Sequence, residues 1–431
     1  MMVEADMATR NRELMCLIGD EVAGRLWQDE AGLAHFAYEE SYDGIPLSLS
    51  LPVSNRTYRQ TEVVPYLMGL LPDSAEVRRD AAREFGVSPN NPVAMLAHMG
   101  LDCPGGVQFC WPDHKAEVLD RQGSYAPLSD ADIADRLRML RVDSSASWVA
   151  EDEHWSLGGN QGKFALAWHK GAWCSCEGAA ATTHIFKNGV IGFALQALNE
   201  FVCMRLADAC GLPTADVAYR AFEDEPALIV SRYDRTASPD GTIRRLHQED
   251  FCQALGVPPS QKYTADGGPT VADCIKLLAS TKEAELNILA FTQMLFFNCL
   301  IGAPDAHAKN YSLLLGRGRN ALVAPMYDVA SGLAYEGMRR KGRLAMAIGG
   351  ENRFARVGRG AVKTYAAVAH EACEGVTEET CLAIMSQLAK EIPGRLASVF
   401  DEYASVPGMD ELRSHLEQPV VENCEATLRL L

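Results

Sequence analysis

"LIGAPDAHAKNYSLL", residues 300–314, is the stretch on which the fold turns. Between positions 305 and 310 it sets Asp305, His307, Lys309 and Asn310 among apolar neighbours. Upstream, "AELNILAFTQMLFFNCLI" (284–301) has helical periodicity and no charge after Glu285, and downstream "YSLLL" is predicted as a short buried strand. Polar groups wedged between two buried elements must be satisfied by partners or put to chemical use.

Composition bounds that use. The 431 residues are 48% hydrophobic and 23% charged, as in an ordinary globular protein with room for two or three domains. No run approaches the length of a membrane span, and "MMVEADMATRNREL" has neither a basic n-region nor an apolar h-region, so a cytoplasmic, membrane-free protein is expected. The 13 cysteines are scattered and never form a CxxC pair; most are expected as small buried hydrophobes, not disulfides or zinc ligands. A net charge of −17 argues against broad nucleic-acid binding by this chain alone, although "TIRRLH" (242–247) and "GMRRKGR" (337–343) are local basic candidates.

Outward from the opening stretch, three regions are predicted. Residues 1–120 form an α/β subdomain: a hairpin pair in "LMCLIGDEVAGRLWQ" and "LAHFAYEESY", a helical region with Asp73 and Ser74 as capping candidates, then a helix, a Pro-Gly-Gly turn and a strand. Residues 121–245 hold the strand, Lys-Gly turn and strand of "KFALAWHKGAWCSC", the strand "TTHIFK", an amphipathic helix "ALQALNEFVCMRLADACG" ended by Gly211, and two further strands. Residues 246–431 are mostly helical. The order matches the small lobe of a kinase followed by a helical lobe.

In that layout Asp305 and Asn310 have the D-x-x-x-x-N spacing of a kinase catalytic loop, with a plain hydrogen-bonded loop as the alternative. Asp328 ends the short strand of "LVAPMYDVASG", 18 residues beyond Asn310, where a magnesium-binding carboxylate would sit. "WSLGGNQGKFAL" (155–166) offers Gly158, Gly159 and Gly162 for close approach of backbone N–H groups to an anion; Leu157 and Phe164 exclude a Walker P-loop, and a simple glycine-rich turn stays open. Lys187, ending "THIFK", is the candidate phosphate-contacting lysine, with Glu200 on the next helix as a possible partner. Arg232, Asp234 and Arg235 of "VSRYDR" stand either at an adenine hinge or in a salt-bridged junction, and "HQED" (247–250) is expected to open a helix.

The ordered segments "PLSLSLP", "GLLPDS", "SLGGNQGKFAL", "THIFK", "NEFVCMRLA", "VSRYDR", "LHQEDFCQALG", "IGAPDAHAKNYSLLL", "APMYDVAS" and "LAMAIGGE" resemble those of the HipA-family serine/threonine kinase toxins over nearly the whole chain. The resemblance implies an α+β, kinase-like two-lobed fold with an extra N-terminal α/β subdomain and a mostly helical C-terminal lobe. It implies Asp305 as catalytic residue, Asn310 and Asp328 as Mg2+ ligands, and ATP contacts from Ser156, Gly158, Gly159, Gln161, Lys163, Lys187, Arg232, Asp234, His307, Lys309 and Asn310. Ser156 matches the serine on which the family phosphorylates itself, where added charge would repel ATP and eject the loop. The implied partners are a HipB-like helix-turn-helix antitoxin, through which DNA is contacted indirectly, and an aminoacyl-tRNA synthetase as substrate, glutamyl-tRNA synthetase foremost. Asn160, Gly162 and the missing glycine after Asp328 depart from the family pattern and leave ATP affinity open. A small-molecule phosphotransferase and a non-catalytic corepressor are the competing classes.

Overall fold

The computed structural model describes residues 13–143, 153, 155–190, 192–238 and 241–431; the extreme N-terminus, on which the expectation of no leader rests, lies outside them. The chain forms two compact units.

The first comprises Met1–Asn188, Arg220–Ser260 and Leu314–Arg319. Its N-terminal sheet has the order β4-β3-β2-β1-β5. Strands β1 (Glu13–Ile18) and β2 (Glu21–Gln28) form the predicted hairpin, turning at Gly19 with φ +62°; β3 is Ala34–Tyr38, β4 Thr57–Arg59 and β5 Val107–Cys110. Helices Gln60–Leu70 and Ala75–Glu84 replace the single helical region expected there, because the chain leaves the helix at Leu71, which is extended, and restarts at Ser74, whose hydroxyl caps the second helix by accepting from the Val77 N–H.

A second sheet, order β10-β11-β9-β7-β8-β6, is built from β6 (Gly123–Pro127), β7 (Phe164–His169), β8 (Ala172–Gly178), β9 (His184–Lys187), β10 (Val217–Phe222) and β11 (Glu225–Ser231). The β7–β8 hairpin turns on Lys170 and Gly171, both at positive φ, as two-residue hairpin loops require. One continuous apolar cluster runs from Leu14, Phe36, Leu67 and Phe109 through Ile133 to Phe164, Phe186 and Phe222, so both sheets share a core. Fully burying each such side chain contributes about 1.5–3 kcal/mol.

The second unit, Gly189–Tyr219, Gln261–Leu313 and Asn320–Leu431, is mostly helical. The helix Ala284–Leu300 is buried along nearly its whole length. At its C-terminal end the Cys299 carbonyl accepts from the Gly302 N–H at 3.1 Å, and the Asn423 amide adds bonds to the Cys299 and Leu300 carbonyls at 3.0 and 2.8 Å, tying the helix end to a distant segment. The helix Gln196–Ala209 is not amphipathic as expected: its polar residues Asn199 and Glu200 are buried with Phe201, Val202 and Met204. Asn199 exchanges two hydrogen bonds with the Ser331 backbone, which satisfies its amide inside the core. All 13 cysteines are free thiols and all but Cys210 and Cys373 are buried. No described helix is long and apolar enough to cross a membrane.

Candidate active site

Asp305, His307, Lys309, Asn310 and Asp328 lie in the second unit, where the structure brings them onto adjoining segments. Residues 305–310 fold on themselves. The His307 N–H donates to the Asp305 carbonyl at 2.8 Å, the Asn310 N–H to the His307 carbonyl at 2.9 Å, and the Asn310 side-chain amide to the Asp305 carbonyl at 2.7 Å. These bonds turn the Asp305 side chain outward, 65% exposed, where one carboxylate oxygen accepts from the Tyr263 hydroxyl at 2.5 Å. His307 packs edge-on against the Tyr263 ring and is buried beneath the loop. Burial holds its imidazole below the ordinary histidine range, with the Asp305 carboxylate 3.7 Å away pulling the other way.

Asp328 follows the strand Ala321–Val323 and takes a left-handed conformation, φ +60°, that non-glycine residues seldom adopt. Such backbone persists only where its surroundings hold it, and it clusters at functional sites. The holding group is next door: the Tyr327 hydroxyl donates to the Lys309 carbonyl at 2.7 Å and shares a 2.6 Å hydrogen bond with Ser312. The segment of Asp328 is thus pinned to that of Asn310. Since the Asn310 nitrogen is engaged with Asp305, its amide oxygen is left with no protein donor among the described residues. An amide oxygen and a carboxylate on two pinned segments are the hard donors magnesium takes, so the residues fit that ion.

The remaining candidates lie in the first unit. Residues 155–163 form an irregular loop ahead of β7. Ser156 is fully buried and its hydroxyl donates to the Leu70 carbonyl. Gly159 has φ +100°, and a Cβ there would stand 2.6 Å from the Lys163 ammonium, which donates to the Gly158 carbonyl at 2.8 Å and closes the loop. Gln161 is half-buried on the same loop, and Gly162 is buried. Lys187 is buried at the end of β9, paired across to Leu228 of β11.

Arg232 and Asp234 are placed otherwise than at an open nucleotide surface. They belong to a buried network with Asp102, Arg235 and Arg245, the salt-bridged junction that sequence left as one of two alternatives. Arg232 donates to Asp234 at 2.9 and 3.1 Å, to Asp102 at 3.2 Å, to Thr182 and to the Cys103 carbonyl; Asp234 also accepts from the Gly105 N–H at 2.6 Å. The arginines hold the Asp102 and Asp234 carboxylates below the usual range against the cost of burial. "HQED" likewise differs from expectation: Gln248–Asp250 is a short strand, and only Asp250 caps a helix, Phe251–Ala254, in a reciprocal pair with Gln253. Sequence missed Tyr263, Tyr327 and Asp102, whose roles depend on contacts with distant segments and leave no local pattern.

Two family models match stretches of the chain. The HipA N-terminal domain matches residues 14–110 and the HipA-like C-terminal domain residues 155–396. The chain is 38% identical to the putative kinase Y4mE of Sinorhizobium fredii over 76% of its own length and 79% of that protein. It is 27% identical to the serine/threonine-protein kinase toxin HipA of Shewanella oneidensis, covering 95% of both. A solved complex of Shewanella oneidensis HipA, HipB and operator DNA superposes with a TM-score of 0.82 at 25% identity, over 97% of this chain and 98% of that one. With its α+β fold and helical C-terminal region, the chain belongs to the HipA family of serine/threonine kinase toxins.

Proposed function

We propose that the chain is an ATP-dependent serine/threonine protein kinase, with the catalytic group at Asp305. The observation that carries this is the exposed Asp305 carboxylate, held by Tyr263 on a loop that shares its unit with the oxygen donors of Asn310 and Asp328. Asp305 accepts the proton of the attacking hydroxyl or orients that hydroxyl towards the transferring phosphoryl group. Asn310 and Asp328 hold magnesium, which supplies neutralisation of phosphate charge when bound. Lys187, Lys163 and the backbone of 156–163 contact the nucleotide phosphates; Arg232 and Asp234 act through the fold, since their charged groups are engaged with one another and with Asp102.

Self-phosphorylation at Ser156 fits the loop's construction. The hydroxyl is buried and bonded to Leu70, so modification requires the loop to leave its seat, and the added charge of about −2 cannot return to it. By analogy with the Shewanella complex, a HipB-like antitoxin is the partner and carries most of the DNA contact, consistent with the net charge of −17. An aminoacyl-tRNA synthetase, glutamyl-tRNA synthetase foremost, is the expected substrate.

Intact-mass spectrometry after incubation with Mg-ATP tests the assignment. One phosphate, mapped to Ser156 in the wild type and absent in Asp305→Ala, is the expected result. Phosphate appearing on a metabolite instead of a protein would move the chain to the small-molecule phosphotransferases.

A further inference from the structure

The loop 155–163 does not stand alone; it is stitched to two segments of the N-terminal subdomain. Trp155 bridges to Asp102, and the Ser156 N–H donates to the Asp102 carbonyl at 3.1 Å. Pro72 bridges to Gly159, and the Asp73 N–H donates to the Gly159 carbonyl at 3.0 Å. Asp102 also faces the other way. One carboxylate oxygen accepts from the Thr182 N–H at 3.1 Å, the Thr182 hydroxyl at 2.6 Å and Arg232 at 3.2 Å; the other accepts from Arg235 at 2.8 Å and Arg245 at 3.0 Å. Thr182 and Thr183 lead directly into β9, whose last residue is Lys187.

One residue therefore holds both phosphate-facing elements of the first unit, the loop by its backbone and the lysine strand by its side chain. It does so from outside residues 155–396, the span of the HipA-like C-terminal domain. We propose that Asp102 is a positioning residue for nucleotide binding, and that the N-terminal subdomain thereby sets the geometry in which loop 155–163 and Lys187 meet the phosphates. The nucleotide part of this rests on the kinase assignment above; the mechanical part does not. A buried carboxylate among three arginines transmits its position stiffly, because none of its partners can turn to water.

The test uses the full chain and two variants. Asp102→Asn keeps the shape and the carbonyl but weakens the hold on Thr182 and the arginines; Thr182→Val removes the hydroxyl that donates to Asp102 and accepts from Arg232 and leaves the ion pairs, so it carries the test if Asp102→Asn fails to fold. Hydrogen exchange is read across the chain, with KM for ATP and kcat measured in parallel. For Asp102→Asn, exchange is expected to accelerate about tenfold in segments 155–163 and 182–187 and little elsewhere. KM for ATP should rise about tenfold while kcat changes less than about threefold. Thr182→Val should move both in the same direction, by about threefold. Acceleration spread evenly over the first unit, or none in a folded variant, overturns the proposal. If the wild type binds no ATP the kinase assignment falls, while the exchange pattern still decides the positioning role.

Discussion

Tyr263 and Glu249 define what single residues do here. Tyr263 donates the 2.5 Å hydrogen bond to Asp305 and walls in His307, so Tyr263→Phe keeps the ring contact and removes only the donor. A hydrogen bond to a charged group contributes about 1.5 kcal/mol or more. The expected loss is therefore about tenfold in kcat with KM for ATP unchanged, and an unchanged kcat would remove Tyr263 from the site. Glu249 is fully buried; one oxygen accepts from the Leu49 N–H at 2.8 Å and the other has no partner among the described residues. Burial raises its carboxyl from 4.5 to about 8, so it is protonated in the fold at pH 7. Unfolding releases that proton, and the stability it confers is present below pH 4.5 and is lost as pH rises through about 8. His247 works in the opposite sense: burial lowers it from 6.5 to about 4, so its stability is present above pH 6.5 and is lost as pH falls through about 4. The two offset each other where they overlap, and above pH 6.5 Glu249 acts alone. Stability should fall between pH 6.5 and 8 by up to about 1.4 kcal/mol per pH unit, and Glu249→Gln should flatten that fall in urea titrations at each pH.

At the scale of elements, the Pro-Gly-Gly turn at 104–106 shows how tightly segments are joined. Gly105 has φ +81°, and a Cβ there would stand 2.8 Å from both the backbone N and O of Gln248. Gly105→Ala should cost about 2 kcal/mol or more, read as a lower urea midpoint with an unchanged slope; a smaller cost would mean that the turn yields. The turn was legible in sequence because glycine, proline and capping residues act locally, as did Ser74, the Lys170-Gly171 hairpin and the apolar helix Ala284–Leu300. The loop 305–310 was legible for the same reason, its polar residues being dense and its flanks apolar. Arg232 and Asp234 were not resolved between hinge and junction, because the answer lies in Asp102, about 130 positions away. The helix Gln196–Ala209 was misread as amphipathic because Asn199 and Glu200 count as solvent-facing by pattern, yet Asn199 is satisfied by Ser331. Tertiary partners reverse a polarity rule that holds only for surfaces.

For the whole molecule the governing quantity is charge. With 57 acidic against 40 basic residues the net is −17, which opposes broad binding to a phosphate backbone. Clusters such as Arg339, Arg340 and Lys341 on the short helix Glu336–Lys341 are interrupted by acidic neighbours, Glu336 lying 3.3 Å from Arg340. A few local contacts of that kind release few counterions and give a shallow dependence of binding on salt. If DNA is reached through a helix-turn-helix partner, the isolated chain should fail to shift a duplex at about 150 mM salt, where non-specific binding is already weak. Addition of a HipB-like helix-turn-helix partner should then give a complex whose salt slope matches that of the partner alone, the outcome expected if this chain adds no phosphate contacts of weight. Fluorescence anisotropy on a labelled operator fragment, titrated across salt with and without this chain, separates the cases. A slope steepened by two or more phosphate equivalents on adding this chain would show that its basic clusters reach the DNA directly, and would overturn the purely indirect contact.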